Sequence, residues 1–537
     1  MNLLANLTLI LGVLLGANSI QAKTFEDVLP SLNQGSYGDK AEAIELMATI
    51  DDERVLPTFL ALLDARLFFK KDSSTFVILK DVKDLSSAKN AITGEVVAVD
   101  SKRAIKKVRI NNKLRRTLRP LLAVLQLSSD DVKTRLSSAQ DLAKKPDPSL
   151  RSIIDQAYKT EEVNKVKNAL ELTLALIDIK SDVEAERLLA VGILGSSVEP
   201  EVVAVLKTLA EKNEDGTWKD QHAAVAELAA QKLAVVEDRV KLFKFSENII
   251  FGLSLGSILL LAAIGLAITF GVMGVINMAH GEMIMLGAYT TFAIQQLFPS
   301  MMNWSLLMAI PAAFLVSGFV GVLIERLVIR HLYGRPLDTL LATFGISLIL
   351  QQAVRMYSSN NVAVVTPDWL AGYWAVNGAM SLTYNRIYIL VFALIVLAML
   401  AVVLKRTMMG LQMRAVTQNR AMATSMGIRS GWVDAMTFGL GSGIAGIAGV
   451  ALSQITNVGP NLGQGYIIDS FMVVVFGGVG NLLGTFFGAM SLGLANKLLE
   501  PYAGAVVGKI IVLVFIILFI QWRPRGLFAL KGRFVED

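Results

Sequence analysis

The chain has 537 residues, 53% of them hydrophobic, with a mean hydropathy of +0.54 and a formal net charge of +6. It has no cysteine and only three histidines, His222, His280 and His331, far apart in sequence. Disulfides, thiolate metal sites and thiol nucleophiles are excluded, no histidine metal site is expected, and the length and apolar balance point to a soluble part joined to a membrane part.

Residues 1–22 read MNLLANLTLILGVLLGANSIQA. The apolar stretch from Leu7 to Leu15 is too short for a bilayer span, which needs ~20 residues. The small residues Gly16, Ala17, Ser19 and Ala22 follow, so the segment reads as a secretory signal peptide cut near Ala22. An uncleaved anchor or a buried helix is the plainer alternative. Cleavage would place the next domain on the outer face.

Residues 23–240 are mostly helical by periodicity. Ala43 to Met47 and Val55 to Leu63 repeat apolar residues at spacings of three and four. Similar segments recur over Asp131 to Tyr158, Asn164 to Ile179 and Val183 to Lys212, separated by Lys145-Pro-Asp-Pro148 and Val198-Glu-Pro200. The period of roughly 35 residues resembles HEAT-like helical repeats. Phe76 to Leu79 and Glu95 to Val99 read as short strands, a small β insertion. His222 falls in an expected helix, Gln221 to Val235, as a surface residue. The basic stretch Lys102 to Arg119 is a solvated face or a binding patch. No catalytic constellation occurs here, and docking or scaffolding is the expected role.

Residues 241–537 carry long runs without Asp, Glu, Lys or Arg: Asn248 to Gly281, Met283 to Ile324, Thr339 to Val354, Ile387 to Leu404, Ala435 to Ile468, Ser470 to Asn496 and Ile510 to Trp522. They predict about eight or nine membrane spans. Basic residues cluster at Arg326, Arg330 and Arg335, at Lys405, Arg406, Arg414, Arg420 and Arg429, and at Arg523, Arg525, Lys531 and Arg533. These regions are expected to be cytoplasmic, and the segments around Pro299 and from Ser358 to Asn385 outside. The same rule accounts for the positive charge without nucleic acid. An exported amino terminus and a cytoplasmic carboxy terminus favour the odd count, nine. The fold class is therefore all-α: a polytopic helical membrane domain preceded by an extracytoplasmic HEAT-like helical domain with a small β insertion.

No phosphate-binding loop is present. The nearest stretch, Gly504-Ala-Val-Val-Gly508-Lys509, has the wrong spacing and no following Ser or Thr. No catalytic residue, cofactor or metal site is expected. Three segments stand out instead. In Asn277-Met-Ala-His280-Gly281-Glu282, polar and ionisable groups interrupt an apolar stretch, so they face a cavity or neighbouring helices. They line a pathway or glue helices together. Thr343, Ser347 and Gln351 offer further uncharged lining. A second stretch, Gly477-Gly478-Val-Gly480-Asn481, loosely echoes the first and is either its pseudo-repeat or tight glycine packing. The third segment contains Gly410, Arg414, Asn419, Arg420, Ala423 and Gly427, a basic helix of about 15 residues, either a docking element or an interfacial loop.

At these three segments, over about Phe251 to Arg533, the chain resembles the permease subunits of branched-chain amino acid and urea ABC importers. The wording from Gly271 to Tyr289 and the domain ahead of the first span resemble the urea members most. The resemblance implies a non-enzymatic transport subunit in the bacterial inner membrane, embedded in lipid. Its implied partners are a sister permease subunit, two cytoplasmic ATP-binding subunits and a periplasmic solute-binding protein, with urea as the solute. It further implies that the third segment couples to the ATPases. Alternatives are a branched-chain amino acid or short amide importer, a passive urea or amide channel, and a membrane-anchored scaffold.

Overall fold

The computed structural model describes residues 24–33, 36–50, 52–70, 75–80, 85, 88–99, 103–358 and 361–528. The expected signal peptide and the tail residues Lys531 and Arg533 lie outside the described residues. The chain divides into two compact units, Met1–Arg239 and Val240–Asp537.

In the first unit, polar side chains mark where helices begin. Thr24 and Asp27 form a reciprocal capping box at α1 (Phe25–Val28), and Ser36 and Asp39 form another at α2 (Tyr37–Ala48). After α3 (Val55–Leu63), Asn111 caps α4 (Asn112–Gln126) and Asp131 caps α5 (Val132–Lys144). The helices α6 (Arg151–Thr160), α7 (Asn164–Asp178), α8 (Glu184–Leu194) and α9 (Pro200–Leu209) follow, the last opening on proline. Their apolar stripes meet: Leu142, Ile154, Val166 and Leu170 share one core. Another core gathers Phe25, Ile44, Phe59, Leu67, Leu114 and Leu118. The basic stretch Lys102 to Arg119 thus becomes partly a strand and partly α4, whose Leu114, Leu118 and Leu122 are buried while Lys113, Arg116 and Arg119 stay exposed.

The β insertion has four short antiparallel strands, β1 (Leu67–Lys70), β2 (Phe76–Ile78), β3 (Lys89–Asn90) and β4 (Ile105–Lys107), in the order β3-β2-β1-β4. Phe76 to Ile78 forms a strand as expected. Glu95 to Val99 does not; Val96 makes only an isolated bridge to Lys89 and is 69% exposed. Val97 and Val99 lean on the small core that includes Phe68 and Val77 without forming a strand, whereas Leu67 and Phe68 are buried in β1. His222 also differs from expectation. It precedes α10 (Ala223–Met273), accepts the first backbone bonds from Val225 and Ala226, and brings Nδ1 to 3.6 Å from Glu184 Oε2.

The second unit contains α11 (His280–Leu297), α12 (Met302–Leu327), α13 (Pro336–Tyr357), a hairpin of β5 (Tyr373–Asn377) and β6 (Met380–Thr383), α14 (Tyr384–Arg406), α15 (Met408–Gln418), α16 (Arg420–Ser425), α17 (Ser430–Ser453), α18 (Leu462–Gly477) and α19 (Leu482–Trp522). Among the described residues, six helices are long and apolar enough to cross a membrane: α10, α12 with its flanking turns, α13, α14, α17 and α19. The helix α11 has 18 residues and α18 has 16, and α19, at 41 residues, is interrupted by non-helical backbone at Gly504. The hairpin was not expected; the sequence of that region shows only low charge.

The almost wholly buried helix is α17. It meets α10, α11 and α12 backbone to backbone. A Cβ at Gly441 would fall 2.6 Å from the Gly265 carbonyl oxygen, and one at Gly449 would fall 1.9 Å from that of Ile284. From the other side, a Cβ at Gly287 would lie 2.0 Å from the Gly446 carbonyl oxygen. Without a hydrophobic force between helices in lipid, such close van der Waals approach is what holds them.

Two outcomes follow. Gly449→Val should leave no correctly folded chain in the membrane, because backbone cannot retreat from the new side chain. Gly345→Ala, where nothing lies within 4 Å, should leave membrane level and elution profile unchanged. In the first unit, buried Arg187 donates to Asp220 Oδ1 at 3.0 Å and Oδ2 at 2.5 Å and to the Ile179 carbonyl at 3.0 Å. Burial pushes the Asp220 carboxyl up, but the bonds from Arg187 and the His222 N–H outweigh it and hold it below its ordinary value. Arg187→Ala should cost about 3 kcal/mol by stranding that carboxylate. The lowered value means that the stabilisation is complete above about pH 4, the unfolded carboxyl range, and is lost as pH falls through the folded value. Hydrogen exchange across residues 184–209 of the full chain, against pH, checks both.

Candidate substrate pathway and coupling segment

The helix α13 has its polar and apolar faces inverted relative to a soluble protein. Its buried residues are Thr339, Thr343, Ser347 and Gln351, whereas Leu337, Leu341, Phe344, Leu348 and Met356 are exposed. A spacing of four sets the polar groups in one line, running ~18 Å along the axis at 1.5 Å per residue. This polar edge faces the start of α11. Thr343 Oγ1 accepts from the Met278 N–H at 3.1 Å. Ser347 Oγ donates to Glu282 Oε1 at 2.8 Å, and Gln351 Nε2 donates to the same oxygen at 2.7 Å.

Glu282 is 1% exposed, and its other oxygen, Oε2, has no hydrogen-bond partner among the described residues. No salt bridge among the described residues reaches it either. A buried carboxylate left without a cation is costly.

The neighbours of Glu282 point elsewhere. His280, two residues earlier and so on the opposite side of the helix, approaches the Ala262 carbonyl of α10 with Nε2 at 2.8 Å. A carbonyl only accepts, so Nε2 carries the proton and Nδ1, which has no partner among the described residues, is an acceptor. Gly281 lets α18 pass: a Cβ there would lie 2.6 Å from the Gly463 carbonyl oxygen. Buried Asn277 accepts from the Ala279 N–H at 3.0 Å and leaves Nδ2 without a partner among the described residues. It sits in the break between α10 and α11, which turns at Gly274 with φ +68°.

Gly477, Gly478 and Asn481 form a second break, between α18 and α19. Asn481 caps α19 by accepting from Leu483 and Gly484, and its Nδ2 donates to the Phe528 carbonyl at 3.3 Å. Phe528 in turn donates its N–H to the Gly477 carbonyl at 3.1 Å. Gly478 adopts φ +103° with the Phe528 carbonyl against it. These residues tie the carboxy-terminal segment to the break; among the described residues no hydrogen bond joins Asn481 to Glu282. The two breaks touch where a Cβ on Gly271 would fall 2.5 Å from the Gly480 Cα.

The basic segment, expected as one helix, is two. Asn419 takes extended backbone between α15 and α16 and caps α16 by accepting from the Met422 N–H at 2.9 Å. Its side chain competes for the backbone, which is why the longer helix does not form. Gly410 is buried where α14 meets α15, the Arg414 guanidinium donates to the Leu404 carbonyl, Ala423 is buried, and Gly427 ends the segment with φ +88°. Arg420, still partly exposed, pairs with buried Asp434, its guanidinium 4.8 Å above the Tyr333 ring. Met408, Leu411, Met422 and Met426 remain exposed on the outer side. Asp434, Tyr333 and Glu325 escaped the sequence reading. Asp434 and Glu325 are charges bordering uncharged runs, and were read there only as boundaries.

The family described as branched-chain amino acid transport system / permease component matches residues 248–520. The chain belongs to this family. It is 30% identical over 298 residues to the high-affinity branched-chain amino acid transport system permease protein BraD of Pseudomonas aeruginosa, covering 53% of this chain and 96% of that relative. It is 30% identical over 293 residues to the corresponding permease protein LivH of Escherichia coli, covering 53% and 95%. A probable branched-chain amino acid permease protein, LivH of Methanocaldococcus jannaschii, is 28% identical over 286 residues, covering 50% and 88%. No solved structure matches. With its long apolar helices, this family member is a multi-pass inner-membrane permease component. The family match begins after the first unit ends.

Proposed function

We propose that the chain is the membrane permease subunit of an ATP-driven importer, and that it takes up a branched-chain amino acid. The supporting observation is the match over nearly the whole of BraD, whose name states that substrate class. The geometry agrees with it: an ammonium group would supply the cation that buried Glu282 lacks. Thr343, Ser347 and Gln351 continue the path as neutral hydrogen-bonding groups. ATP hydrolysis belongs to two cytoplasmic partner subunits, which meet the exposed methionines of α15 and α16. A sister permease and a periplasmic solute-binding protein complete the assembly. In this arrangement nine segments cross the membrane, α19 contributing two arms about Gly504, and the HEAT-like first unit lies outside.

Urea is a second reading, favoured by one observation. Half of this chain covers 96% of BraD, so the first unit has no counterpart in that relative. An added exported domain and the neutral hydroxyl and amide groups of Thr343, Ser347 and Gln351 suit a small uncharged amide.

The test is uptake of labelled leucine and labelled urea by cells lacking this chain and by cells complemented with it. Leucine uptake that depends on the chain and on ATP supports the first reading, and urea uptake alone supports the second. Flux through vesicles holding this chain without ATPases would support a passive channel. Glu282→Gln should raise the KM for the transported solute about tenfold with the chain still present in the membrane. An unchanged KM would remove Glu282 from the path.

A further inference from the structure

We propose that Arg420 is a positioning residue that links the coupling segment mechanically to the spans α12 and α17. The inference rests on the importer reading, but its basis is a separate cluster. Asp434 opens the second turn of α17 and is 0% exposed; Glu325 lies in the last turn of α12 and is 1% exposed. The Arg420 guanidinium, on the first residue of α16, contacts both Asp434 oxygens, the longer contact being 3.4 Å. It also covers the Tyr333 ring, whose hydroxyl donates to Glu325 Oε1 at 2.9 Å. The other Glu325 oxygen lies 3.7 Å from Arg326 Nε. Three helices and the loop after α12 are thereby joined through one guanidinium.

The energetics make the joint obligatory. If α16 moved away alone, Asp434 would remain buried without its cation, a state that costs far more than a lost surface pair. An apolar contact between α16 and α17 would slip; an ion pair whose carboxylate is fully buried, although the Arg420 side chain is 43% exposed, fixes the register of the two helices. A push on α16 therefore carries α17 with it. The helix α17 is locked to α11 at Gly446 and Gly449, which meet Gly287 and Ile284, within about one and a half turns of Glu282. The route runs from Arg420 through Asp434 and α17 to the solute-facing carboxylate, and branches through Tyr333 to α12.

The complete importer, reconstituted in proteoliposomes, measures this as ATP hydrolysed per solute accumulated. Arg420→Gln and Asp434→Asn should each raise that ratio at least about fivefold while the solute KM stays within about twofold. Arg420→Lys should recover part of the coupling. Tyr333→Phe, which removes one hydroxyl and leaves the fold intact, should shift the ratio in the same direction by less. A role in folding alone would lower hydrolysis and uptake together and leave the ratio unchanged. If a variant at Arg420 or Asp434 fails to assemble, Tyr333→Phe decides. An unchanged ratio there, and in every variant that assembles, overturns the inference alone. Failure of the unsubstituted complex to accumulate any solute overturns the importer reading and this inference with it.

Discussion

Everything in the membrane unit depends on backbone-to-backbone contact along α17. In lipid, apolar side chains gain nothing by leaving their surroundings for a neighbouring helix, so association must come from close packing and internal polar bonds. Gly441, Gly446 and Gly449 provide the first, bringing α10 and α11 to distances at which no side chain fits. Because glycine offers no side chain to flex, the contact is stiff. Any shift in α17 is passed to its neighbours and not absorbed.

That stiffness is what permits polar groups at either end to matter. Glu282 and the α13 edge sit against one part of the glycine-packed bundle, and Glu325, Tyr333, Arg420 and Asp434 sit at another. The carboxylates of each set, Glu282, Glu325 and Asp434, are buried, while Arg420 reaches the surface; Glu282 and Glu325 each leave one oxygen without a hydrogen bond among the described residues. A soluble protein would bury such groups beside water; here the alternative is hydrocarbon, so their presence argues for work other than packing. The first unit is built on ordinary principles by comparison, with capped helices, separate apolar cores and the Arg187–Asp220 pair as its most demanding polar feature.

Much of this was legible from the residues alone. Prolines and apolar spacing located helices of the first unit because local signals set where they start and stop. Uncharged runs located the long membrane helices because lipid tolerates little else. Four polar residues, Glu282, Thr343, Ser347 and Gln351, were singled out as exceptions in apolar surroundings, and the fold brings them together. What sequence did not reveal was direction. His280 and Glu282 are two residues apart and point opposite ways, a fact that needs the neighbouring helices. Asn481 was grouped with the pathway by its glycine-rich context but serves as a helix cap tied to Phe528. Arg420 was read as part of a basic coupling segment, but its buried partner Asp434, 14 residues away, was not paired with it until α16 folded back. The failed strand at Glu95 to Val99 has the same origin, since burial is decided by distant chain.

The inverted face of α13 also bears on how the protein is made. Of the six long apolar helices it is the least hydrophobic, and left by itself in the bilayer it would turn a row of hydroxyl and amide groups toward acyl chains. Its binding surface on α11 is synthesised earlier in the chain and is already waiting when α13 emerges from the ribosome. Biogenesis can thus hand this helix sideways to a prior segment instead of releasing it, and the order of the two helices in the gene becomes part of the folding instruction.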